Sequence, residues 1–168
     1  MRNKINFHFL YLTVLFIGIS CKTKNANPVA EPANKISFTS TVFKVSKAYL
    51  SLGGDTTTPE LPADFKANVG QRVFLNLVID SGWVNENGRI YPGIYQKVES
   101  DDKKHLFIED DLMKNHPEGV AAKDGWLVTI MAVVNTADKH YDHFDVSFKV
   151  WDKKGKGEIT GSYKLYLN

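Results

Sequence analysis

The sequence predicts an all-β chain folded as an antiparallel two-layer β-sandwich of about seven strands, and three observations predict it. Several stretches alternate apolar and polar residues at a period of two, the mark of strands with one buried face. Short clusters of Gly, Asn, Asp and Pro, the residues of tight turns, separate those stretches. Helical patterning is confined to one suggested turn near Glu109 to Asn115. A chain of many short strands buries its apolar faces most economically as two packed sheets.

The chain begins with an address. Met1 to Lys4 is a short positive segment, and Ile5 to Ile19 is almost continuously apolar, broken only by Asn6, His8, Thr13 and Gly18. About 15 residues of helix span only about 22 Å, short of the roughly 30 Å hydrocarbon core of a bilayer, which is the length of a signal-peptide apolar region. The run ends in Ile17-Gly18-Ile19-Ser20-Cys21, small residues directly before the only cysteine. This resembles the lipobox of bacterial lipoproteins, with Gly18 where that family more often has Leu. The resemblance implies that residues 1–20 are a signal peptide and that Cys21 is lipidated as the first mature residue. A lipoprotein cysteine carries several acyl chains, and two or more are what stable membrane anchoring requires. With no second cysteine the exported body has no disulfide and rests on its core.

Residues 21–35 read as the lipidated cysteine and a tether, since Lys22 to Lys35 holds two prolines, three asparagines, no aromatic residue and no hydrophobic period. As a flexible coil it reaches about 20 Å. Lys22 behind the cysteine, where the family's inner-membrane retention signal has Asp, implies the outer membrane. The absence of the acidic run that sends some lipoproteins of Bacteroidota to the cell surface implies a domain facing the periplasm.

Residues 36–168 form the body. Phe38 to Leu52 is the first strand candidate. Arg72 to Asp80 sets Val73, Leu75, Leu77 and Ile79 on one face. Gly93 to Glu99 and His105 to Glu109 are two shorter strands joined by Ser100-Asp101-Asp102-Lys103-Lys104. Trp126 to Val134 is apolar on both faces apart from Thr129, which predicts a central strand covered on both sides. Asp142 to Trp151 is the clearest strand, with Phe144, Val146, Phe148 and Val150 opposite His143, Asp145, Ser147 and Lys149. Gly157 to Leu167 sets Ile159, Gly161, Tyr163, Leu165 and Leu167 on one face, and Asp152 to Lys156 makes the intervening hairpin turn. The run Phe144, Val146, Phe148, Val150, Trp151, Asp152 and Gly155 resembles the last two strands of bacterial immunoglobulin-like domains of the PKD and cadherin-like groups. That resemblance implies an immunoglobulin-like β-sandwich and says nothing about activity. The paired cysteines and intervening tryptophan of antibody domains are missing.

Charge and motifs narrow the function. The chain has 21 Lys+Arg against 19 Asp+Glu, and Arg2 and Lys4 are the only charges in the leader, so the body is neutral and lacks the basic footprint of a nucleic-acid binder. No metalloprotease, nucleophile-elbow, Walker or dinucleotide motif is present, which implies no cofactor. Two clusters are candidates for chemistry. Asp138, His140, Asp142 and His143 mix imidazoles and carboxylates that suit a divalent metal, but a polar loop feeding the solvent face of an amphipathic strand accounts for them too. In the loop Ser81 to Tyr95, the aromatic residues Trp83, Tyr91 and Tyr95 accompany Asn85 and Asn87. Aromatic plates beside amides suit a sugar or peptide. Equally, Asn87-Gly88 and Pro92-Gly93 are turn pairs, and the rings would then plug the end of the sandwich. The expectation is a non-enzymatic lipoprotein, held to the membrane by its lipid anchor, that binds a protein or glycan partner in the bacterial envelope. The alternative is a periplasmic metal-handling protein or enzyme built on Asp138 to Asp145.

Overall fold

The computed structural model describes residues 34–104, 106–135 and 139–168. The leader, Cys21, most of the tether and Asp138 lie outside the described residues. Ten strands follow in chain order: β1 (Ser37–Thr41), β2 (Lys44–Ser51), β3 (Arg72–Ser81), β4 (Arg89–Ile90), β5 (Pro92–Ser100), β6 (Leu106–Glu109), β7 (Val120–Ala121), β8 (Leu127–Val133), β9 (His143–Asp152) and β10 (Glu158–Tyr166). They build a five-stranded sheet in the order β1-β10-β9-β5-β6, a three-stranded sheet in the order β2-β3-β8, and a two-stranded ribbon of β4 and β7. Every ladder between strands is antiparallel, as the sandwich expectation requires.

The alternating residues do what their spacing predicts. Val73, Leu75, Leu77 and Ile79 of β3 are buried against Phe144, Val146, Phe148 and Val150 of β9 and Ile159, Tyr163 and Leu165 of β10 in one cluster. Burying each such side chain contributes about 1.5–3 kcal/mol before entropy is counted. Phe148, only 1% exposed, lies across from Gly161, where a Cβ would come within 2.5 Å of its Cζ. The phenyl ring therefore uses the space that the glycine leaves. Gln96 is a buried polar residue of the inner face of β5, and its Nε2 donates to the Met131 carbonyl of β8 at 3.0 Å, a direct link between the sheets.

Trp126 to Val134 departs from its expected place. Its strand, β8, is an edge of the three-stranded sheet, and the central position belongs to β3. The outer face is apolar for a different reason: Gly54, in the loop after β2, packs against Thr129 and Phe74, while Met131 stays 42% exposed. Beneath that loop Asn76 is fully buried, donating to Ser51 Oγ at 2.7 Å and accepting from Thr129 Oγ1 at 3.1 Å, so a polar link crosses all three strands. The five-stranded sheet is the wider one, and Phe107 of its edge strand β6 is 50% exposed.

The stretch 38–52 is two strands, not one. Val42 has φ 66°, and the Phe43 N–H donates to the Thr41 carbonyl at 2.7 Å, a tight turn that sends β1 into one sheet and β2 into the other. A β-branched residue at positive φ is a strained choice, which is why the pattern alone conceals the break. The suggested turn near Glu109 to Asn115 is present as turns at 112–115, held by Asp111 Oδ1, which accepts from the Met113 N–H at 2.8 Å and the Ile94 N–H at 3.2 Å. The end of the tether is docked: Asn34 Nδ2 donates to the carbonyls of Pro62 and Phe65 at 3.1 and 2.9 Å.

Candidate functional site

The loop residues singled out from the sequence separate in space. Trp83 packs against Phe43 with ring centroids 4.5 Å apart, and its indole N–H donates to the Gly125 carbonyl at 2.9 Å. It closes one end of the sandwich. Asn85 Oδ1 accepts from the Gly88 N–H at 2.8 Å, and Asn87 and Gly88, with φ 53° and 81°, form the two-residue turn that reverses the chain between Glu86 and Arg89. Asn-Gly is the pair such a turn prefers, because both residues tolerate positive φ. These two amides are turn formers. Tyr91 is covered by the Lys154 ammonium, 4.9 Å from its ring centre. Tyr95 alone of the set projects from the outer face of the five-stranded sheet.

Strand pairing gives Tyr95 a partner. In the β5–β9 register Gly93 opposes Trp151 and Tyr95 opposes Lys149, so Tyr95 and Trp151 are diagonal neighbours on one face. The indole lies on Gly93: a Cβ there would sit 2.0 Å from Cε2 and 2.3 Å from Cζ2, closer than any atom can approach. One ring face is seated on backbone, and the ring lines an open groove of about 320 Å³ with Tyr95, Lys149, Glu158, Asp110 and Lys156. Lys149 Nζ is 2.7 Å from Glu158 Oε2 and 5.7 Å from the Trp151 ring centre. The hydrogen bond from Lys149 holds the Glu158 carboxyl below its ordinary value. Beneath the groove Asp152 is buried, with Oδ2 accepting from the Val84 N–H at 2.7 Å and Oδ1 from the Lys154 N–H at 2.9 Å. This carboxylate fixes the β9–β10 turn that carries Lys156.

Of the residues considered for metal, the three that are described, His140, Asp142 and His143, do not group to hold an ion. His140 Nε2 lies 3.5 Å from Asp142 Oδ1, and both side chains are exposed. His143 is on the outer face of β9, its ring 5.4 Å from that of Tyr166. Neighbouring Asp145 is bound by Lys103 at 2.7 Å. Burial alone would raise the Asp145 carboxyl, but Lys103, together with His143 and Lys164, outweighs it and holds the group below its ordinary value. Among the described residues no three His, Cys, Asp or Glu side chains are grouped to hold an ion.

Trp151, Lys149 and Glu158 were read from the sequence only as parts of the C-terminal hairpin. The available signal was a large aromatic residue on the polar side of an alternating strand. Its meaning depends on Gly93 and Tyr95, which pattern reading does not pair with it. Comparison of the chain with protein-family models, with curated proteins and with solved structures finds no match.

Proposed function

We propose that this chain is a non-enzymatic binding module of the bacterial outer membrane, anchored through lipid on Cys21, that takes up a glycan on the outer face of its five-stranded sheet. The observation that carries the reading is Trp151 seated on Gly93 beside Tyr95 and rimmed by the Lys149–Glu158 pair. Flat rings offer apolar area to the C–H faces of a sugar, and fixed charged groups around them orient hydroxyls. The immunoglobulin-like reading is supported by the pairing of β3 with β8 in one sheet and of β5, β9 and β10 in the other.

Two experiments test the reading. Electrophoresis of the detergent-solubilised full-length protein through gels containing cellulose-derived, mannan or xylan polysaccharide should show retardation that Trp151→Ala abolishes, whereas unretarded migration in all three gels refutes glycan binding. Cys21→Ser should release the protein from the membrane fraction or leave its precursor uncleaved. Fractionation and migration identical to wild type would refute the anchor.

A further inference from the structure

We infer that the glycan site extends along strand β9 to a second groove at the opposite end of the same sheet face, so that the occupant is a linear, extended oligosaccharide. The inference rests on the glycan reading above and deepens it. The second groove, about 440 Å³, is lined by Ser37, Ser147, Ser162, Lys164 and Tyr166 with Lys103 and Asp145 among its rim residues. It lies on the same outer face as Trp151, because Ser147, Asp145 and His143 continue the alternation that Trp151 and Lys149 begin.

The register orders what a bound chain would cross. Beyond the aromatic end, Lys149 is flanked by Tyr95 and Thr160, then Ser147 by Lys97 and Ser162, then Asp145 by Glu99 and Lys164, and finally His143 by Tyr166. Thr160, Ser147 and Ser162 are short hydroxyl side chains, so the middle of the path is low on the β9–β10 side, with Lys97 bordering it on β5. Tyr166, its ring against that of His143, supplies an aromatic terminus opposite Trp151. From residue 151 to residue 143 the strand advances about 27 Å at roughly 3.4 Å per residue. A disaccharide does not cover that span.

Three lysines of this face are held in ion pairs. Lys149 is paired with Glu158, Lys97 lies 3.2 Å from Glu99, and Lys103 lies 3.2 Å from Glu99 and 2.7 Å from Asp145. These pairs orient hydroxyls, while Lys35 and Lys164 in the second groove and Lys156 in the first form no ion pair among the described residues and add positive charge, so the face disfavours a polycation.

Isothermal titration of the detergent-solubilised full-length protein with cellobiose and with cellohexaose separates the possibilities. The hexasaccharide should bind at least about tenfold more tightly than the disaccharide. Tyr166→Ala should remove about that advantage and leave cellobiose binding unchanged, while Trp151→Ala should abolish both. Ser162→Arg gives the same test without touching a packed side chain: Ser162 is exposed, and a long side chain there obstructs the path. Equal affinity for the two lengths, or full hexasaccharide affinity in Ser162→Arg, overturns the extended site and leaves binding at Trp151 standing. Failure of both sugars to bind overturns the extended site as stated, and the polysaccharide gels then decide whether the glycan reading falls with it.

Discussion

Gly93→Ala is the sharpest perturbation of the binding face, because its effect passes through one side chain. The three atoms nearest to an added Cβ all belong to the Trp151 indole, at 2.0, 2.3 and 2.6 Å. Carbon atoms pack at about 3.5–4.0 Å, so the ring must move by roughly 1.5 Å or leave its seat. Overpacking of this kind costs about 1–3 kcal/mol. Against it stands the strand preference for Ala over Gly, about 0.5–1 kcal/mol. The single variant should therefore lose between about 0 and 2.5 kcal/mol. In a Trp151→Ala background the obstruction is gone, and Gly93→Ala should be neutral or stabilising by up to about 1 kcal/mol. The coupling between the two sites, about 1–3 kcal/mol, is what urea unfolding of wild type, both single variants and the double variant measures, followed by far-UV circular dichroism so that loss of the tryptophan does not alter the signal. A coupling below about 0.5 kcal/mol would mean that the indole does not rest on Gly93, and the reasoning for the aromatic seat would fail.

Three further outcomes follow from the packing. Phe148→Ala should cost about 3–5 kcal/mol in urea melts, whereas Ser147→Ala, one residue away on the opposite face, should cost less than about 0.5 kcal/mol; comparable losses would mean that the outer face is covered. The Tyr163 hydroxyl is buried without a hydrogen-bond partner among the described residues, and its burial pushes its pKa up. Tyr163→Phe should therefore leave the unfolding midpoint unchanged or raise it, and a loss above about 1 kcal/mol would reveal a partner. Burial alone would raise the Asp111 carboxyl, but the Lys153 ammonium and the Met113 and Ile94 N–H groups hold it below its ordinary 3.8. A depressed folded value stabilises above the unfolded one, so this contribution is present at neutral pH and fades as pH falls below about 4. Asp111→Asn should be less stable at neutral pH and show a shallower loss between about pH 4 and 2; an unchanged acid limb would refute the assignment.

The two strands of the C-terminal hairpin were legible because alternation at period two is a local property. Phe144, Val146, Phe148 and Val150 share a face in any extended conformation, and only one register of the hairpin buries them together with Ile159, Tyr163 and Leu165. The all-β class follows from the same pattern, repeated along the chain. The neighbours of each strand were not legible in this way. Apolarity on both faces fits a central strand, yet β8 is an edge, because a loop near Gly54 covers part of its outer side, a job that a third layer would otherwise do.

The candidate site divides along the same line. The turn chemistry of Asn87-Gly88 lies in adjacent residues, so the sequence by itself determined that turn and one side of the choice it posed for Trp83, which does plug the sandwich. Only the tertiary structure decided that Tyr95, separated from its loop companions, meets Trp151 on a shared face. That meeting requires β5 and β9, far apart in the chain, to pair in a register that opposes Gly93 to the indole. Local pattern reports which face of a strand a side chain occupies. Which other strand lies beside it is set by the packing of the whole sheet, where many weak contacts add up over distances that no short stretch of sequence contains.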